Sequence, residues 1–195
     1  MKDINILPKR QAITKEEAVS LLKEYAEQIF KAYDDALARY NIEIQQTLPI
    51  ARTRLSSTLL NAKMIGSFVE AFPDNVVMGK YGRVLFRYEN CQLIIKKLSK
   101  TSCPSYISTK LSNTILAQAQ AELFEGDENA KREPLLIFGY TKDNFGNLKN
   151  PRIVYFDEFP LWEIVPADFA VTLPNIDNVE RIEVKLKKKR ERKAE

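Results

Sequence analysis

The 195-residue sequence contains no histidine. That absence removes Ser-His-Asp and Cys-His nucleophile systems, in which an imidazole carries the proton. It also removes HExxH zinc sites, the His-containing zinc deaminase site and His-dependent ribonuclease chemistry. Any catalysis would have to rest on carboxylates with a hard cation, on Lys or on Tyr. Cysteine is scarce: Cys91 and Cys103 have eleven residues between them and no CxxC, so no zinc-ribbon or thioredoxin-type pattern exists. The six glycines are scattered, and neither GxGxxG nor GxxxxGK[ST] occurs. No apolar run is long enough to span a bilayer, and the opening MKDINILPKRQ has no apolar core of a secretion signal. The simplest expectation is a cytoplasmic protein with both thiols free and no membrane span.

Apolar residues at 45% and charged residues at 29% are ordinary globular values. The length suits one domain with a core of its own. Net charge is +4 but uneven: the last fifteen residues hold eight Lys/Arg and three Glu, so they carry +5 and the remainder is close to neutral. The organisation expected is a flexible arm over 1–13, a single α+β domain over 14–187 and a basic tail over 188–195.

Thr14 opens a helix through a capping box with Glu17. One apolar stripe then runs through Ala18, Leu21, Leu22, Tyr25, Ile29, Tyr33, Ala36 and Tyr40, core-facing with tyrosine hydroxyls at the rim. NIEIQQTLPI reads as a link to a second helix near 53–72, with the stripe Leu55, Leu59, Ala62, Ile65, Val69 and Phe72. Together these amphipathic helices form a hairpin. Residues 76–99 turn β-branched and aromatic and read as a β-hairpin around the turn Glu89-Asn90-Cys91. A third helix is expected near 108–125. A second β block follows: LLIFGYTK pairs with PRIVYFDEF, PLWEIVP and ADFAVTL continue it, and VERIEVKLK is a last strand. The fold class is α+β: N-terminal amphipathic helices, two β-hairpin blocks in a largely antiparallel sheet, and one intervening helix.

Few patterns carry chemistry. Asp168 precedes Glu183-Val184-Lys185 with fourteen residues between Asp168 and Glu183, which resembles the PD-(D/E)xK nuclease motif. There, two carboxylates share Mg²⁺ or Mn²⁺ and the Lys orients the attacking water. Only ten residues follow Lys185, whereas that nuclease core continues with a helix and a strand; an amphipathic surface strand gives the same letters. Asp143-Asn144-Phe145-Gly146-Asn147 lacks EF-hand spacing and reads as a turn, so no resident metal or cofactor is expected. Arg83, Arg87, Lys96 and Lys97 around the first hairpin suit either a nucleic-acid platform or the solvated face of a half-buried sheet. The tail residues Lys187, Lys188, Lys189, Arg190, Arg192 and Lys193 can bind phosphate without sequence preference or simply keep the chain soluble. Tyr106, Phe145, Phe159 and Trp162 are candidates for a protein interface, with core packing the rival role for Phe159 and Trp162.

Hydrophobic spacing over residues 82–165, with the trios FGY and WEI, resembles small bacterial proteins encoded on mobile elements. Their neighbour is a helix-turn-helix protein carrying an ImmA/IrrE-type metallopeptidase domain. The resemblance implies an antitoxin or regulatory partner and transfers no functional residue. The expectation is therefore a non-enzymatic protein-binding regulator, the neutralising partner in a toxin–antitoxin or phage-defence pair, with another protein, a neighbouring-gene product, as partner. The alternatives are the metal-dependent nuclease and a nucleic-acid binder acting through the tail.

Overall fold

The computed structural model describes residues 8–79, 82–105, 109–119, 132–143 and 147–170. Helices α1 (Lys15–Leu22), α2 (Ala26–Gln46) and α3 (Pro49–Ala71) come first. Strands β1 (Val76–Gly79), β2 (Arg83–Tyr88) and β3 (Cys91–Lys97) precede a short helix α4 (Lys110–Leu116). Then come β4 (Leu135–Lys142), β5 (Leu148–Asp157), β6 (Phe159–Ile164) and a last helical turn, α5 (Pro166–Ala170). The α+β class holds: the six strands form one sheet in chain order, antiparallel throughout except for the parallel β3–β4 pair.

Each sheet face is covered. On one side Phe86, Tyr88, Leu93, Leu136, Phe138, Ile153 and Tyr155 meet α1, α2 and α3 in a single buried cluster. Phe68 is its hub, with ring centroids 5.5 Å from Phe86 and 5.1 Å from Phe138. On the other side Leu85, Ile94, Ile137, Val154 and Phe156 meet Ile115 and Leu116 of α4. The alternation along every strand follows the period of two that sends successive side chains to opposite faces. Gly139 sits where a Cβ would lie 2.3 Å from the Leu98 side chain, so a bare backbone there is what lets Leu98 pack on β4.

Local signals held where the chain is its own partner. The Thr14 capping box forms as read, with the Glu17 amide donating to Thr14 Oγ1 at 3.2 Å and the Thr14 amide to Glu17 Oε2 at 2.8 Å. The single helix expected after it is two, broken at 23–25, where the Tyr25 ring lies 4.8 Å from Tyr88 and 6.3 Å from Phe72. The expected link NIEIQQTLPI is mostly helix: α2 runs to Gln46 and α3 begins at Pro49. The buried stripe of α3 is Leu60, Met64, Ser67 and Phe68 rather than Leu55, Leu59, Ala62, Ile65 and Val69; Leu55 is exposed. The third helix stops near Ala117, because Gln118 takes a left-handed backbone (φ 49°) and Ala119 bridges to Lys9. Residues 167–170 of the expected strand ADFAVTL are helical, and VERIEVKLK lies outside the described residues. The described part of the expected arm, 8–13, packs onto the body, with Arg10 and Ile13 buried. Among the described residues no helix is long and apolar enough to cross a membrane.

Candidate functional site

The four interface aromatics diverge. Tyr106 and Phe145 lie outside the described residues. Trp162 faces the helix side of β6, stacks on Tyr155 at 5.3 Å and donates from Nε1 to the Ile13 carbonyl at 3.0 Å. It is a half-buried anchor that ties the N-terminal segment to the sheet. Phe159 is 59% exposed, and Leu161, two residues on, is 48% exposed. Both stand on an end strand of the sheet order.

Asp168 is occupied by structure. As the third residue of α5 its Oδ2 accepts from the Val165 amide at 2.8 Å, the reciprocal half of a capping box, and its Oδ1 pairs with Lys15 at 2.9 Å. The Val165 amide, with Lys15 behind it, holds the Asp168 carboxyl below its ordinary pKa. Glu183 and Lys185 lie outside the described residues, as do Lys187, Lys188, Lys189, Arg190, Arg192 and Lys193. Among the described residues no three His, Cys, Asp or Glu side chains gather as a metal-binding group. Of the four hairpin cations, Arg87 is committed to Glu133, while burial beside Arg83 lowers the Lys96 pKa.

A buried polar cluster sits at the start of the parallel pair β3–β4. Glu133 receives Arg87 Nε on both oxygens at 2.9 Å, and Gln92 Nε2 at 3.1 Å on Oε2. Arg10 donates to the Glu133 carbonyl at 2.8 Å. Burial lowers the Arg10 guanidinium to about 10, with Glu133 opposing the shift, so it stays charged at neutral pH. Gln118 closes the cluster from the α4 side: its amide donates to the Leu135 and Phe156 carbonyls at 2.8 and 2.9 Å. The Arg10 amide in turn donates to the Gln118 carbonyl at 2.6 Å. Every one of these contacts joins segments far apart in sequence, and the arrangement is a clasp that fixes residues 9–11 to the sheet.

The feature that the sequence reading passed over is the turn between α2 and α3. Ile42, Leu48 and Ile50 are 62%, 73% and 89% exposed, three large apolar side chains within nine residues. The turn beneath them is built tightly. Thr47 Oγ1 donates to the Glu43 carbonyl at 3.1 Å, and Arg52 donates to the Thr47 and Gln45 carbonyls at 2.9 and 2.8 Å. Arg52 thus satisfies carbonyls at the end of α2 that no further helical turn can reach. Pro49 starts α3 at a position that needs no amide hydrogen. A signal was present in the sequence: Ile42 falls off the stripe that ends at Tyr40, so it has no core to face.

No family model matches this chain, and neither a curated protein nor a solved structure matches it.

Proposed function

We propose that this chain is a non-enzymatic protein-binding module that presents the α2–α3 turn to an apolar groove on a partner protein. The observation that carries this is the exposure of Ile42, Leu48 and Ile50 on a turn already held by Thr47 and Arg52. Scattered exposed apolar residues are ordinary, but a cluster on a preorganised projection costs little ordering entropy when it binds. Phe159 and Leu161 on β6 supply a second, smaller apolar row. The partner proposed is a neighbouring-gene product, with this chain as its neutralising or regulatory half in a toxin–antitoxin or phage-defence pair. The mobile-element resemblance of residues 82–165 supports that assignment.

Co-expression with the adjacent gene product followed by size exclusion tests the proposal. Co-elution is expected, with Leu48→Asp/Ile50→Asp weakening the complex by at least about tenfold, as loss of a buried apolar anchor does. Separate elution of the two wild-type proteins would sink the proposal, as would a self-association of this chain that the double variant abolishes.

A further inference from the structure

At the opposite end of the parallel pair from the clasp lies a pocket of about 220 Å³. Its floor is the helix-facing side of the strands where β3 and β4 end. Lys97 and Tyr140 are register partners, and Lys142 stands two residues beyond Tyr140 on the same face. The roof comes from the helical hairpin, with Tyr40 of α2 and Ser57 and Asn61 of α3. Among the described residues no Asp or Glu contributes to the lining. Two acids on adjoining segments are already engaged: Asp143 with Lys149 at 2.9 Å and with Asn147, and Glu43 with Lys63. Lys97 and Lys142 have no carboxylate partner among the described residues. Burial pushes the Tyr140 hydroxyl up to about 12, so it keeps its proton and can donate.

Lys97 and Lys142, the phenols Tyr40 and Tyr140, Ser57 and Asn61 therefore line one small space. Among the described residues no carboxylate neutralises this donor set. The pocket lies at the carboxyl ends of the parallel strands β3 and β4. The volume is below the roughly 300–1,000 Å³ of sites for drug-sized ligands, so the occupant is compact. We propose that this pocket binds a phosphoryl group, either inorganic phosphate or the phosphate of a small monoester, between Lys97 and Lys142, with Tyr140 donating to it.

Isothermal titration of the full chain with inorganic phosphate, glycerol 3-phosphate and sodium chloride at matched ionic strength tests this. Saturable binding of phosphate or the ester, at a Kd of about 1 mM or tighter, is expected, with none for chloride. Tighter binding of inorganic phosphate assigns the free ion; tighter binding of glycerol 3-phosphate assigns a monoester. Lys97→Gln and Lys142→Gln should each weaken binding about tenfold, the worth of one charge-assisted hydrogen bond, and Tyr140→Phe by a few-fold. Both lysines are exposed, so the variants fold, and a circular dichroism melt checks that. Absence of saturable binding by either phosphate probe would overturn the proposal. Equal affinity in the Lys97→Gln/Lys142→Gln variant would overturn it too.

Discussion

The two ends of the β3–β4 pair invite comparison because they are built from the same strands and differ in how charge is handled. At the starting end, Arg10 and Arg87 are answered by Glu133, and Gln92 and Gln118 add carboxamide hydrogen bonds. At the finishing end, Lys97 and Lys142 share a pocket with no carboxylate in its lining. A charge buried in a protein must be paired, or its desolvation goes unrepaid. The lysines escape that requirement only because their ammonium groups reach water. The first end is therefore paired within the fold, and the second leaves its cations to solvent or to the proposed phosphoryl ligand.

The largest loss of stability is expected from Glu133→Gln. Arg10, 4% exposed, and Arg87 would lose their carboxylate while remaining charged. Removing one partner of a buried pair costs several kcal/mol, and Gln keeps part of the hydrogen bonding. A loss of about 3 kcal/mol in urea unfolding is expected. A loss below about 0.5 kcal/mol, the range of ordinary surface changes, would show that the clasp is not architectural.

Thiol chemistry sharpens the same point from inside. Burial, with Glu133 and Glu89 adding to it, pushes the Cys91 thiol up to about 12, whereas Cys103 is half-buried. Alkylation of the native protein at pH 8 should label Cys103 and leave Cys91 to react only on opening. Because labelling then follows the opening equilibrium, Glu133→Gln should speed Cys91 modification roughly 100-fold, the rate equivalent of that lost stability. Equal labelling of both thiols in the native wild type would refute the dry environment assigned to Cys91.

Those two ends were unequally legible in the sequence. The Thr14–Glu17 box and the strand LLIFGYTK depend on neighbours within a few residues, and both formed where expected. The α3 stripe did not, because Leu59 and Leu60, Ile65 and Met64, and Val69 and Phe68 offer two equally apolar rows. Contact with Phe86 and Phe138 chooses between them, and that contact is not local. Arg10 looked like part of a solvated arm because its partner Glu133 is 123 residues away. The parallel register that aligns Lys97 with Tyr140 was hidden for the same reason, so the pocket could not be seen before the sheet was assembled.

An intermediate case lies between the extremes. Asp168 is partly exposed and holds both Lys15 and the Val165 amide. Asp168→Asn should cost about 1 kcal/mol at pH 7, the usual worth of a helix-capping hydrogen bond. The folded carboxyl sits below the ordinary value of 3.8, so its contribution is complete above that value and fades as pH falls through the lower, folded one. The gap between wild type and variant should therefore be flat from pH 7 to 5 and close only in acid below about pH 4. A gap that closes already near pH 6 would assign the effect to another group.

The smallest effect is expected at the finishing end, and it is the most diagnostic. Glu133→Gln removes the anion that its cations need, but Lys97→Gln/Lys142→Gln removes cations that have no carboxylate partner among the described residues. Relief of their mutual repulsion offsets the loss of their aliphatic contacts, so unfolding free energy should change by no more than about 0.5 kcal/mol. The same double variant should lose the phosphate-dependent rise in melting temperature that linkage predicts for a ligand bound only by the folded state. Stability without phosphate and stability with it thus separate the two roles in one protein. If the double variant instead unfolds at much lower urea in the absence of any anion, Lys97 and Lys142 are structural, and the contrast between the two ends of the pair collapses.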